Sequence, residues 1–139
     1  MRNRALARDY VRRAEVRLEA VAVLHERRSW ADVVRESQEI VELALKAALR
    51  AAGVDAPRVH DVSEILIAER ARFPKTLGKE VPRLARISKS LRRDRELAFY
   101  GSEDLTPSDF YTEEDAREAF DGARRTLRLV KPFVLRATS

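Results

Sequence analysis

Between Trp30 and Leu49 the apolar side chains return with the period of an α-helix and not of a strand. Trp30, Val33, Val34, Ile40, Val41, Ala44, Leu45, Ala48 and Leu49 follow one another at steps of one, three or four, with the small polar Ser37 filling the single gap in the pattern. The stripe is too wide for a helix that touches one neighbour, so it predicts contact on two sides, with other helices or with a second subunit. Ser29 is placed to cap the start of this helix, and Gly53 is placed just past its end. A helix of this kind needs the rest of the chain to cover it.

The rest of the chain supplies helices. Leu6, Tyr10, Ala14, Leu18 and Val21 mark an amphipathic helix over residues 2–27. Its outer face carries the like-charge pairs Arg13–Arg17 and Glu15–Glu19, which add no helix support of their own. After a short turn-rich link, Asp61 or Ser63 is placed to cap a short third helix through Ile65, Leu66, Ala68 and Ala71, which Pro74 ends. The segment PKTLGKEVP is ambiguous, and Pro82 suits the first turn of a fourth helix. A loop of ten residues, SEDLTPSDFY, then leads to Thr112, which forms a capping-box pattern with Asp115. Ala116, Ala119, Phe120, Ala123, Leu127 and Val130 make the core face of the last helix. Pro132 is expected to disturb its end, and the tail FVLRATS to fray. With four Gly and five Pro there is little material for the turns of an all-β chain. The expectation is an all-α, antiparallel bundle of four longer helices plus one short helix, in a single domain over residues 1–139.

Composition narrows the chemistry. The chain has no cysteine and two histidines, a poor set for zinc, so no metal site and no cofactor is expected. No Gly-rich phosphate loop, HExxH, CxxC or GxSxG motif is present. His25, near the end of the first helix, and His60, before the third, are read as structural or solvated side chains, with a cationic His25 favoured by the helix C-terminus. The N-terminal stretch lacks the apolar core of a signal peptide, and no run is long enough to span a bilayer, so a cytoplasmic protein is expected. The net charge is +5, which permits phosphate-rich partners without demanding them.

The position of the charge says more than its total. From Arg83 to Gly101 the sequence reads RLARISKSLRRDRELAFYG. Leu84, Leu91 and Ala98 stack in one row, and Arg86, Arg93 and Tyr100 stack in another, about 160° away around the axis at roughly 100° per residue. Between Arg83 and Arg95 six cations face the lone acid Asp94. Arg95 points partly toward the apolar side, where a guanidinium needs a partner or a polar cleft. Phe99 and Tyr100 bring aromatic surface beside the cations, a combination suited to stacked bases and phosphate oxygens. Arg86, Arg92, Arg93, Arg95 and Tyr100 are therefore the candidate nucleotide- or RNA-binding residues.

Four segments carry a family resemblance: ESQEIVELALKAALRAAG, PRVHD, RRDRELAFYG and DFYTEEDAREAFDGARRTL. In order and spacing, from about Trp30 to Phe133, they resemble the HEPN domain family (higher eukaryotes and prokaryotes nucleotide-binding). The resemblance implies a bundle of four to five helices, commonly a homodimer, acting with a small nucleotidyltransferase in a toxin–antitoxin-type pair. It also implies, for many members, metal-independent ribonuclease activity through an Arg, four to six spacers and a His, with a Tyr two residues on in the nucleotidyltransferase-linked branch. Arg93 matches the Arg and Tyr100 the Tyr, but Ala98 stands where the His belongs. Alanine neither moves a proton nor positions a 2′-hydroxyl. Arg95 with Tyr100 is a second alignment, which puts the two side chains roughly 140° apart. Two functions follow as expectations: a nucleotide- or RNA-binding module, or a metal-independent ribonuclease toxin with Arg93 and Tyr100 as its catalytic residues. Tyr100 is also a candidate acceptor of a nucleotidyl group from the partner.

Overall fold

The central helix of the protein is the one with the widest apolar stripe. The structure is a computed structural model, and it describes residues 2–55, 62–93 and 106–139; the side chains of Arg2, Asn3, Arg92 and Arg93 lie outside that description. Among the described residues there are seven α-helices, one 3-10 turn and no strand. Helix α1 spans Arg2–Glu26 and α2 spans Trp30–Ala51. Three short elements follow: α3 at Ser63–Ala68, the 3-10 turn at Arg70–Arg72 and α4 at Lys75–Gly78. Helix α5 covers Val81–Arg93, α6 is a single turn at Pro107–Phe110, and α7 covers Glu113–Ala137.

Helix α2 packs most extensively against α1 and α7 and also touches α5 and α6. Contact on two sides is therefore met by helices of the same chain. Ile40, Leu45 and Leu49 are fully buried, each contributing about 1.5–3 kcal/mol by leaving water. Val11 and Val21 of α1, Leu84 of α5 and Val130 of α7 meet the same core. Two of the outer charges of α1, which gain nothing from one another, find partners on other helices. Arg17 pairs with Glu36 at 3.1 Å and Glu15 with Lys131 at 2.5 Å.

The ends of α1 and α2 are built alike. After α2, Gly53 takes φ +84, and the N–H groups of Gly53 and Val54 donate to the carbonyls of Arg50 and Leu49. This is the Schellman arrangement, which satisfies carbonyls that the helix leaves open. After α1 the same pattern turns on Arg28 at φ 61, with its guanidinium over the Trp30 ring at 5.4 Å. Ser29 occupies the N-cap position of α2, but its hydroxyl donates to Asp32 Oδ2 at 2.6 Å instead of accepting from the backbone.

Three local expectations change. The residue before α3 is Val62, with no side-chain cap, and Asp61 lies outside the described residues. Pro74 does end the α3 region, but it also opens α4, so PKTLG is a helical turn that buries Leu77. Pro132 does not disturb α7, which runs on to Ala137 with Phe133 and Val134 buried. Phe133 meets Phe73 edge-on at 5.6 Å. That packing holds the last turns in place despite the missing N–H at Pro132.

Candidate nucleic-acid interface

Helix α5 presents the two faces that its sequence predicts. Leu84 is buried in the core, while Arg83, Arg86 and Lys89 are exposed. Among the described residues none of these three cations has an ion pair. Unpaired guanidinium groups on one helix face are free to meet phosphate oxygens. Arg92 and Arg93 occupy the last described turn of α5. Their side chains, and Arg95, Ala98, Tyr100 and His60, lie outside the described residues.

Beside Arg86 the surface sinks into a groove of about 470 Å³ between α5, α6, α7 and α2, a size in the range of small-ligand sites. Its floor is apolar: Val34, Ala119 and the buried Tyr111 form a small cluster with Ala31, against which Trp30 and Leu91 pack. Phe110 stands at the rim, 40% exposed, packed edge-on against Tyr111 at 4.8 Å. An exposed aromatic face beside a cation suits base stacking next to phosphate binding. Asp115 and Glu118 of α7 also line the groove. Carboxylates are absent from the Arg86 row along α5 itself, yet they face it from the neighbouring helix.

The carboxylates differ in how free they are. Asp115 accepts from the backbone N–H of Thr112 at 2.9 Å, while its own N–H donates to Thr112 Oγ1 at 3.1 Å. The predicted capping box is thus formed, and it holds the start of α7 beside the groove. Glu118 is exposed and has no such tie among the described residues. A free carboxylate accepts hydrogen bonds from N–H donors such as those on a base edge.

Two features of the groove follow from local chemistry, the first of which a loop reading of SEDLTPSDFY passes over. Thr106, Pro107 and Asp109 are a helix start in miniature: the Thr106 hydroxyl accepts from Asp109 N–H at 3.3 Å, and Pro107 takes the first position. That turn sets Phe110 at the rim. Gly122 of α7 sits against α5, where a Cβ would lie 3.2 Å from Ile87 Cγ2. The missing side chain lets the two helices close on each other and fixes where Arg86 stands.

The histidine with a described position is structural in its surroundings. The His25 ring lies 5.1 Å from Trp30 and 5.8 Å from Phe120, and its Nε2 is buried without a hydrogen-bond partner. Among the described residues no group of three or more His, Asp or Glu side chains is gathered to hold a metal. Among them, too, no helix is long and apolar enough to cross a membrane.

The profile of the HEPN domain matches residues 7–132. A protein of Methanocaldococcus jannaschii named "Putative toxin MJ1304" is 31% identical over 134 residues, covering 92% of this chain and 88% of that protein. No solved structure matches the chain at a significant level.

Proposed function

The chain belongs to the HEPN domain family, and on that premise we propose that it is a nucleotide- or RNA-binding module. In this reading it is one domain over residues 1–139 and works in the cytoplasm as a homodimer. Its partner is a small nucleotidyltransferase in a toxin–antitoxin-type pair. The observation that carries the reading is the exposed Arg83, Arg86 and Lys89 of α5, without an ion pair among the described residues, beside a groove rimmed by Phe110. Arg86, with Arg92, Arg93 and Arg95, binds phosphate, and bases stack on aromatic surface. Ala98, in place of the motif His, favours binding over cleavage, because no imidazole is left to move a proton.

The second reading is a metal-independent ribonuclease toxin, and the name of the Methanocaldococcus protein favours it. Arg93 would then stabilise the charge that builds on the phosphorane, assisted by Arg92 or Arg95. Tyr100 would handle a proton, although an ordinary phenol with a pKa near 10 is a weak base at neutral pH.

Labelled mixed-sequence RNA incubated with the purified protein in EDTA separates the two, with Arg93→Ala prepared identically alongside. Binding at low salt without cleavage, lost in Arg93→Ala, supports the module. Cleavage that disappears in Arg93→Ala supports the ribonuclease. An RNA that neither binds nor is cut sinks both.

A further inference from the structure

The outward face of α7 carries cations that the α5 site does not use. Arg125, Arg128, Pro132 and Arg136 follow one another at steps of three, four and four, so they share one face. Arg128 and Arg136 are exposed. Arg125 is half-buried, and its Nε is covered without a hydrogen-bond partner. Other cations of α7 are neutralised: Arg117 by Glu113, Arg124 by Asp121 and Lys131 by Glu15. Among the described residues Arg125, Arg128 and Arg136 have no carboxylate partner.

The surface along this face is concave. A depression of about 550 Å³ is lined by Asp121, Gly122 and three arginines, among them Arg125 and Arg128. A smaller one, of about 210 Å³, runs from Arg128 past Pro132 to Arg136, with Pro74 and Thr76 opposite. The two share Arg128, and the first shares Gly122 with the groove beside Arg86. Helices α5 and α7 run antiparallel here, since Ile87 lies against Gly122 while Leu91 and Ala119 line the same groove. The three depressions thus adjoin one another from Arg86 of α5, past Gly122, to Arg125, Arg128 and Arg136 of α7, and the α7 part of this seam is ~16 Å long at 1.5 Å per residue.

We propose that this seam is an extended track for the sugar–phosphate backbone of single-stranded RNA, leading to the α5 row. The inference rests on the nucleic-acid reading of that row and adds to it a path for the strand beyond the groove. Guanidinium forks suit phosphate oxygens and read no sequence. A membrane surface fits less well. The track is concave, and of the large exposed apolar side chains Val16, Val23 and Ile67 lie off it on α1 and α3, while Phe110 stands singly at the rim of the α5 groove.

The test compares binding of a 20-residue oligouridylate and a uridine dinucleotide, across a salt series, to the wild-type protein and three variants. Arg128→Gln/Arg136→Gln changes two exposed side chains, Arg128→Lys/Arg136→Lys keeps their charge, and Arg86→Gln touches the α5 row. Matching circular dichroism spectra establish that all are folded. The glutamine double variant is expected to bind the 20-mer roughly tenfold more weakly at low salt, with its salt slope reduced by about 1.4, or 0.7 per lost contact on a single strand. It should bind the dinucleotide like wild type, and the lysine variant should retain most of the 20-mer affinity. If the double variant binds the 20-mer unchanged while Arg86→Gln weakens it, the track is refuted and the α5 reading stands. If the wild type binds neither RNA, both fail. Polyglutamate or anionic vesicles that displace the 20-mer as well as unlabelled oligouridylate does would overturn the assignment to RNA.

Discussion

Gly122 is the point at which packing sets the geometry of the candidate site, and Gly122→Val tests it. A Cβ at this position would stand 3.2 Å from Ile87 Cγ2 and 4.0 Å from Ile87 Cγ1. Valine adds two further carbons and has little χ1 freedom in a helix with which to turn them away. Overpacking of this kind costs about 1–3 kcal/mol. Replacing glycine in a helix interior returns about 0.4 kcal/mol of propensity. The net expectation is a loss of about 0.6–2.6 kcal/mol. For 139 residues, the unfolding entropy of about 0.3 kcal/mol/K converts that loss to a Tm lower by ~2–9 °C. Urea unfolding followed by circular dichroism should show a lower midpoint with an unchanged slope. Removing the obstacle should relieve the strain, so Gly122→Val in an Ile87→Ala background should cost at least ~1 kcal/mol less than alone. Gly122→Ala should be nearly neutral, because its propensity gain of about 1 kcal/mol offsets the single close contact. A stabilised Gly122→Val protein, or strict additivity with Ile87→Ala, would refute the claim that this glycine seats α5.

Two further substitutions probe helix α7. Thr112→Ala removes the hydroxyl that accepts from Asp115 N–H; a loss of about 0.5–2 kcal/mol is expected in urea unfolding, and no loss would mean that the capping box adds nothing. Pro132→Ala restores a donor inside a continuous helix and should raise stability by about 2–2.5 kcal/mol, the propensity gain less the entropy that proline removes from the unfolded chain; a lower midpoint would show that the ring packs productively where it stands.

Helical periodicity made most of the architecture legible, because an apolar stripe of period 3.6 dictates which face of a long helix is buried. The α2 stripe, Gly53 past its end, Pro82 in the first turn of α5 and the capping box at Thr112 all stand where residue chemistry places them. Elements of one turn are too short to show a period, and so α4 and α6 are hard to see. In both, the usable signal is at the start: Pro74 before Lys75, and Thr106 with Pro107 and Asp109. Pro132 misleads because its local cost is plain in the sequence, while the burial of Phe133 and Val134 that outweighs it belongs to tertiary packing. The same division holds at the site. The exposed face of α5, including Arg86, follows from spacing alone. That Phe110, Asp115 and Glu118 face it depends on which helices lie beside α5, and no single-helix pattern encodes that. Arg95 and Tyr100, like the side chains of Arg92 and Arg93, lie outside the described residues.

The central claim, that the exposed α5 row binds phosphate, is tested most directly by the salt dependence of single-stranded RNA binding to the wild-type and Arg86→Gln proteins. Arg86 is exposed and has no ion pair among the described residues, so its replacement leaves the core intact. Fluorescence anisotropy at several salt concentrations should show weaker binding to Arg86→Gln at low salt, with the slope of log affinity against log salt reduced by about 0.7, one phosphate contact on a single strand. Identical affinities and identical slopes for the two proteins would contradict the claim and leave the row a solvated face.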